Sequence, residues 1–251
     1  MDKATKAAIA AVSLLIATAA FAATGGDYLH ADNDPDNKES LQRGARNFMN
    51  YCSGCHSAEY VRYNTVARGL DLSEDQVIQN LMFNAEKIHE TIQRSMTAED
   101  AGRWFGNAPP DLSLIARAKS TDYVYSFLKG FYLEDASPTG VNNLYLAGTA
   151  MPNVLWELEG LKKAVFVEGE PNSEGVRPLE FEGYETVTEG TMSAEEFDNF
   201  VRDTANFLEY IAEPVRSTRR VLGVWVLIFL SFFLIIAIML KKQIWKDVPK
   251  N

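Results

Sequence analysis

The sequence has 251 residues and a formal net charge of −10, from 34 acidic and 24 basic side chains. An acidic composition argues against nucleic acid as a partner, because the phosphate backbone is itself negative. Between two strongly apolar ends, about 195 residues remain, which is enough for one domain with its own core.

The first 22 residues predict a secretory signal peptide. Lys3 and Lys6 precede an uncharged, alanine-rich run, and the Ala-Phe-Ala sequence at positions 20–22 offers a cleavage point. An uncleaved membrane anchor is the alternative. A mitochondrial presequence would be rich in arginine, which this segment lacks. We therefore expect residues 23–215 to form a domain exported to a bacterial periplasm.

The motif Cys-Ser-Gly-Cys-His contains both cysteines of the chain and one of its three histidines. A zinc site needs four ligands and usually a second ligand pair, but His30 and His89 are isolated in sequence. A thioredoxin-like redox pair belongs in a βαβ pattern, which the surrounding sequence does not have. Covalent attachment of haem c fits the spacing best. Cys52 and Cys55 would bond one porphyrin edge, and His56 would bind the iron.

The helix before this motif is predicted from apolar spacing. Leu41, Ala45, Phe48 and Cys52 recur three or four residues apart. We therefore expect the first cysteine to end a helix whose apolar face covers the haem.

A second helix is predicted to begin at a capping box, in which a serine and a residue three positions later bond each other's backbone amides. Ser73 and Gln76 have this spacing, and Val77, Leu81 and Ile88 follow at helical intervals. The pattern predicts a helix that continues as far as Ile88.

Three further elements are predicted before the membrane. A short helix within residues 120–132 stops near Gly130. A β-hairpin spans residues 164–187, where two β-rich runs flank a turn region. Ser193 and Glu196 form a second capping box, and the helix that they open ends at Pro214.

The C-terminal segment Val221–Leu240 has 20 residues without a charge. As a helix at about 1.5 Å per residue it is about 30 Å long, the thickness of a bilayer core. We expect residues 216–242 to be a single membrane anchor in contact with lipid. Basic residues flank both ends, so the positive-inside rule decides little. The signal peptide places residues 243–251 in the cytoplasm as a short tail, and the anchor in the bacterial inner membrane.

The sixth coordination position of a haem iron is ligated by the protein in electron carriers and is open in catalysts and gas binders. Met151 lies in a segment without helical period, directly before Pro152, which keeps it extended. The other four methionines have ordinary explanations. Met49 is close to Cys52, and Met82 fits core packing. Met96 and Met192 directly precede predicted helix starts. A buried loop methionine is the alternative for Met151, and His89 is the alternative ligand.

Six motifs between residues 40 and 242 carry a family resemblance. In chain order they are CSGCHSAEYVRY, NAPPDLSLIARAK, DYVYSFLKGFY, PTGV, AMP and TMSAEEFDNFVRDTANFLEYIAEP. Ahead of one membrane helix, this set resembles cytochrome c1, the haem c subunit of the quinol:cytochrome c reductase or bc1 complex. The resemblance implies a mainly α, class I cytochrome c-like domain with a small β-hairpin insertion. It also implies one covalently attached haem c.

The resemblance also implies roles for individual residues. Met151 becomes the sixth ligand, because the family's axial methionine lies in such a loop. Arg117 occupies the position of a propionate-binding arginine, whose planar fork suits a carboxylate; a solvated helix arginine is the alternative. Pro110 shapes the haem edge, and a carbonyl of its loop is expected to hold the other nitrogen of His56. Tyr123 is expected to touch the haem region.

The implied function is electron transfer, and the chain is not an enzyme by itself. It would accept one electron from the Rieske iron–sulfur protein, within a dimeric complex with cytochrome b, and pass it to a soluble or membrane-bound cytochrome c. Residues 165–200 hold ten acidic side chains against Arg177 alone. This stretch is expected to steer a basic cytochrome c, with a solvated loop as the alternative.

The sequence alone leaves two other functions open. One is a membrane-anchored monohaem cytochrome that serves another oxidase or dehydrogenase. The other is a haem enzyme or gas sensor whose sixth iron position is open.

Overall fold

The structure is a computed structural model that describes residues 27–171 and 177–247. The predicted signal peptide and its cleavage point lie outside the described residues. The described part contains nine helices: α1 (Lys38–Tyr51), α2 (Tyr63–Gly69), α3 (Glu74–Asn80), α4 (Ala98–Phe105), α5 (Ile115–Lys119), α6 (Thr121–Lys129), α7 (Trp156–Glu159), α8 (Ala194–Ala212) and α9 (Arg216–Ile244). It also contains six strands: β1 (Ala58–Arg62), β2 (Thr91–Ile92), β3 (Phe131–Leu133), β4 (Val141–Asn143), β5 (Gly160–Glu168) and β6 (Leu179–Glu189).

The core is built on the packing of α1 against α8. The Phe48 and Phe207 rings, both fully buried, lie with their centroids 5.8 Å apart. The helices meet closely at Gly44, where a Cβ atom would lie 2.0 Å from the Asp203 carbonyl oxygen. Leu41, Ala45 and Phe48 face this core as their spacing predicts. The helix ends at Tyr51, and Cys52 is its C-cap.

Both predicted capping boxes are present, at the starts of α3 and α8. The prediction that the first of these helices reaches Ile88 is wrong, because α3 ends at Asn80. The Ile88 carbonyl instead accepts a hydrogen bond from the Asn64 amide. The Asn84 side chain donates to a backbone carbonyl nine residues later. Side chain–backbone bonds of this kind compete with helical ones, and the segment leads into β2.

The strands form three two-stranded antiparallel sheets within the described residues: β1–β2, β3–β4 and β5–β6. The β5–β6 sheet confirms the predicted hairpin, and its register runs from Gly160 opposite Glu189 to Glu168 opposite Leu179. Its base is anchored by Lys162, whose ammonium pairs with Glu159 and lies 4.1 Å from the Tyr184 ring centroid. Most of the hairpin is exposed, so it extends from the helical core.

Helix α9 has 29 residues, and its most apolar window has a mean hydropathy of 3.0. None of that window is buried against the rest of the described chain. It begins after a short turn from α8, where the Arg219 guanidinium lies 2.5 Å from the Glu213 carboxylate. An apolar helix that is exposed all round suits a lipid environment. The helix extends two residues beyond the predicted limit of the anchor.

Candidate functional site

A cavity of about 290 Å³ lies where the end of α1 meets α6, α8 and the loop before α7. Cys52, Cys55, His56 and Met151 all line it. Most of the remaining wall is apolar and includes Phe105, Leu112, Ile115, Phe127, Leu146 and Leu208. An apolar pocket with a few convergent polar groups is typical of a cofactor site.

The cysteine motif is shaped by the end of α1. The Cys52 amide closes the helix by donating to the Phe48 carbonyl at 2.9 Å. The Cys52 carbonyl then accepts the amides of Cys55 at 3.0 Å and His56 at 2.8 Å. This tight turn allows both thiols and the imidazole to line the same cavity. The two cysteines do not form a disulfide with each other.

The thiols do not have the properties of a redox-active pair. Burial, with a smaller contribution from Cys55, raises the pKa of the Cys52 thiol to about 12. Burial also raises the pKa of the Cys55 thiol. A disulfide oxidoreductase needs the opposite, an attacking thiol whose pKa lies below the ordinary value. The environment therefore argues against the thioredoxin-like interpretation of the motif.

The imidazole of His56 is oriented by the Pro110 loop. Its Nδ1 lies 2.7 Å from the Pro110 carbonyl oxygen, so Nδ1–H donates and Nε2 keeps its lone pair for a metal. Burial is the main cause that lowers the pKa of His56, and Arg94 also lowers it. The Pro110 bond and Asp111 act in the opposite direction without reversing the shift. His56 is therefore a neutral imidazole at neutral pH, the form that ligates metals.

The Pro110 loop is held by Asp111, a residue to which sequence reasoning gave no role. Its carboxylate accepts from the Ser57 hydroxyl and the Glu59 amide, each at 2.8 Å, and from the Ser113 amide at 2.9 Å. Burial raises the pKa of Asp111, but these hydrogen bonds outweigh it and hold the pKa below its ordinary value. The Asp-x-Ser pattern was a signal for the local Asx turn. It does not indicate the contacts to residues 57 and 59.

The methionine side of the cavity is a loop at residues 149–153. Of the five methionines weighed from the sequence, all of which the structure describes, Met151 is the one that lines the cavity. Its amide donates to the Thr149 hydroxyl at 3.3 Å, and the Asn153 side chain accepts the Leu155 amide at 3.1 Å. The alternative ligand His89 is exposed, and it is not among the residues that line the cavity.

Tyr123 and Arg117, which were also predicted to contact the haem, differ in their position relative to the cavity. Tyr123 lines the cavity, and its ring lies edge-on to Tyr28 at 5.4 Å. Arg117 is not brought to the cavity wall. Its guanidinium lies 3.8 Å from the Glu213 carboxylate, and its side chain is 65% exposed. The propionate role of Arg117 stays a prediction.

The chemistry of the donor set fits a covalently bound haem. Two adjacent thiols can form thioethers, a neutral imidazole offers one free nitrogen, and a thioether sulfur lies in the same apolar cavity.

Comparison with known proteins identifies the family. The sequence profile of the Cytochrome C1 family matches residues 34–248. The chain belongs to the cytochrome c1 family. It is 46% identical over 244 residues to cytochrome c1 of Allochromatium vinosum, which covers 97% of this chain and 99% of that protein.

Two further relatives show the range of the similarity. The ammonia monooxygenase gamma subunit of Nitrosomonas europaea is 39% identical over 215 residues, or 86% of each chain. The mitochondrial cytochrome c1 heme protein of Saccharomyces cerevisiae is 28% identical over 235 residues, which cover 83% of this chain and 67% of that one.

Membership in the cytochrome c1 family gives the coarse function. Cytochromes c1 carry a single covalently bound haem c and are electron-transfer subunits of the bc1 complex, together with cytochrome b and the Rieske protein. Such a subunit is not an enzyme alone. The predicted family and cofactor are confirmed, and α9 is consistent with a membrane anchor.

Proposed function

We propose that this chain accepts one electron from the Rieske iron–sulfur protein onto a haem c ligated by His56 and Met151, and passes it to a soluble or membrane-bound cytochrome c. The main support is that both ligand candidates line one cavity with the two thiols of the attachment motif. The Pro110 bond, which leaves Nε2 of His56 free, gives further support.

Each residue type has a distinct role in this proposal. A bound haem c would supply a one-electron iron couple. Cys52 and Cys55 would hold it through thioether bonds, and His56 would offer Nε2 to the iron. Met151 would offer its sulfur, a ligand type that excludes small molecules and raises the reduction potential. The apolar walls exclude water, which favours the less charged, reduced state.

The proposal includes a place in the cell. The haem domain, residues 23–215, lies in the periplasm, and α9 crosses the bacterial inner membrane once, in contact with lipid. The tail, residues 243–251, lies in the cytoplasm. Lys241, Lys242 and Trp245 support an end of α9 at a membrane interface, since such residues anchor helices there. The complex itself is a dimer in this proposal.

The route to the acceptor is supported by surface charge. The hairpin exposes a series of carboxylates, namely Glu168, Glu170, Glu180, Glu182, Glu185 and Glu189. A negatively charged surface accelerates association with a positively charged partner, and this effect weakens as the salt concentration rises. The rate of cytochrome c reduction should therefore fall as ionic strength increases.

The ligation is tested with Met151→Leu in the complete complex, with Met82→Leu as the matched control. Met82 is also half-buried, but it packs against the core outside the cavity. We expect Met151→Leu to abolish the near-infrared band of methionine–iron ligation, lower the midpoint potential and admit carbon monoxide to the reduced protein. The Met82→Leu protein should keep the wild-type spectrum. A band that survives in Met151→Leu would contradict the proposal.

The place in the complex is tested by gentle purification through a tag on this chain. Co-purifying b-type haem with quinol-dependent cytochrome c reduction is the expected result. A lone c-type signal without quinol activity would favour an independent membrane cytochrome. Carbon monoxide binding to the native reduced protein would favour the gas-binding alternative.

A further inference from the structure

The segment at residues 91–96 lies against the cysteine motif, although the sequence assigns it no role. The Ser95 amide donates to the Ser53 carbonyl at 3.2 Å, and the Met96 amide donates to the Gly54 carbonyl at 2.9 Å. Both acceptors lie between the two cysteines of the motif. The backbone next to Arg94 is therefore fixed against the loop that carries the attachment residues.

The Arg94 side chain extends from this segment to the Pro110 loop. Its Nη1 donates to the Pro109 carbonyl at 3.1 Å. The next carbonyl along the chain, that of Pro110, accepts the hydrogen bond from His56. The guanidinium thus lies one peptide away from the group that orients the imidazole. Its partner here is a neutral carbonyl, so this contact leaves the positive charge uncompensated.

We propose that Arg94 is a positioning residue that raises the reduction potential of the bound haem, through its positive charge beside the His56–Pro110 hydrogen bond. A carbonyl that accepts from Nδ1–H makes the imidazole a stronger electron donor, which favours oxidised iron. A cation beside that carbonyl opposes this polarisation and also disfavours the extra positive charge of the oxidised state. This inference rests on the proposed ligation by His56.

The charges around His56 support the inference. The Arg94 guanidinium donates to the Pro109 carbonyl, one peptide from the carbonyl that bonds His56, so its positive charge lies beside the ligand. Asp111 directly follows Pro110, and its carboxylate, which accepts from the Ser57 hydroxyl and the Glu59 amide at 2.8 Å each, brings the opposite charge to the same loop. The two side chains therefore form an opposed pair that acts on one ligand. Replacing either one should shift the potential, in opposite directions.

The test is an equilibrium optical redox titration of the complete complex with Arg94→Gln and Arg94→Lys. Glutamine keeps an N–H donor for the Pro109 carbonyl but removes the charge, whereas lysine keeps the charge. We expect Arg94→Gln to lower the midpoint potential. At the wild-type midpoint, its ratio of reduced to oxidised haem should fall about tenfold, as expected for the loss of one nearby charge in a partly buried site. Arg94→Lys should stay near wild type.

The matched control is Arg62→Gln. Arg62 also donates to a backbone carbonyl, that of His89, but it is exposed and does not bond the Pro109–Pro110 segment. Its midpoint should equal that of the wild type. An unchanged midpoint in Arg94→Gln, or an equal fall in Arg94→Gln and Arg94→Lys, would overturn the electrostatic role.

A second variant keeps the inference testable if Arg94→Gln does not assemble. Asp111→Asn removes the opposing charge and should raise the midpoint potential; an unchanged or lower value would contradict the inference. Failure of the proposed ligation is seen separately, because wild type would then lack the methionine–iron band. The Arg94 comparison is made in proteins that retain this band.

Discussion

The two sides of the cavity are held in different ways. On the histidine side, His56 is bonded to Pro110, 54 residues away, and the Asp111 carboxylate reaches back to residues 57 and 59. On the methionine side, the bonds of Thr149 and Asn153 span two residues each. The histidine side therefore depends on the tertiary fold, and the methionine side depends on the local stiffness of its loop.

This difference predicts where mutations act. A change that moves α1 should disturb the histidine side first, because the attachment motif begins at the C-cap of that helix. A change in loop stiffness should act on Met151 alone.

Gly44→Ala should have the largest effect. Its Cβ would lie 2.0 Å from the Asp203 carbonyl oxygen and 2.7 Å from the Phe207 Cβ, so α1 must move away from α8. Overpacking of this kind costs about 3 kcal/mol. For a domain of this size, that lowers the midpoint of thermal unfolding by about 10 °C. Circular dichroism melting of the full chain in mild detergent measures the shift.

Gly102→Ala is the matched control for this prediction. Gly102 lies within α4, and a Cβ there would meet open space. Alanine in a helix interior is preferred over glycine by about 1 kcal/mol, so the variant should melt at or slightly above the wild-type temperature. Equal losses of stability in the two variants would show that close packing at Gly44 is not what holds α1.

The sequence predicts the locally determined features well. The capping boxes at Ser73 and Ser193 depend on a residue three positions away, and both are present. The apolar period of α1 likewise places its buried face. The attachment motif and Met151 line the same cavity, although the choice of Met151 also drew on the family resemblance.

The features that the sequence did not predict depend on distant partners. The β1–β2 pairing, the Asp111 contacts and the Arg94 contact join segments that only the fold brings together. For the same reason Arg117 is found beside Glu213, 96 positions later, rather than at the cavity wall. A helical pattern also gave no sign that the chain leaves the helix after Asn80 and becomes a strand only at Thr91.

Asp198→Asn should have an intermediate effect, because Asp198 joins α6 to α8, two helices that line the cavity. Its carboxylate bonds Lys129 and Tyr125 of α6 and lies 2.5 Å from the Arg202 guanidinium. Burial raises the pKa of Asp198, but these hydrogen bonds and charges outweigh it and hold the pKa below its ordinary value. We expect a loss of about 1 kcal/mol in the free energy of unfolding at pH 7.

The stability difference between wild type and Asp198→Asn depends on pH, and its direction follows from the lowered pKa of Asp198. A carboxyl group whose pKa is lower in the folded state stabilises the fold above its unfolded pKa of about 3.9. That contribution is lost as pH falls through the folded-state value. The difference between wild type and Asp198→Asn should therefore shrink in acid. The exposed Asp135→Asn variant serves as the control, and a difference that grows in acid would contradict the assignment.

Pro152→Gly should have the smallest effect, confined to the methionine side. Proline restricts Met151 to extended backbone. Glycine would give the loop more conformational entropy when Met151 is not bound, which favours that state by about 0.4–1 kcal/mol. Under the proposed ligation, Met151 would then leave the iron more often, so imidazole should bind the oxidised protein about threefold more tightly. Pro138→Gly, in the exposed turn between β3 and β4, should leave imidazole binding unchanged. If Pro152→Gly also leaves it unchanged, contacts beyond the loop hold Met151, and the contrast between the two sides of the cavity fails.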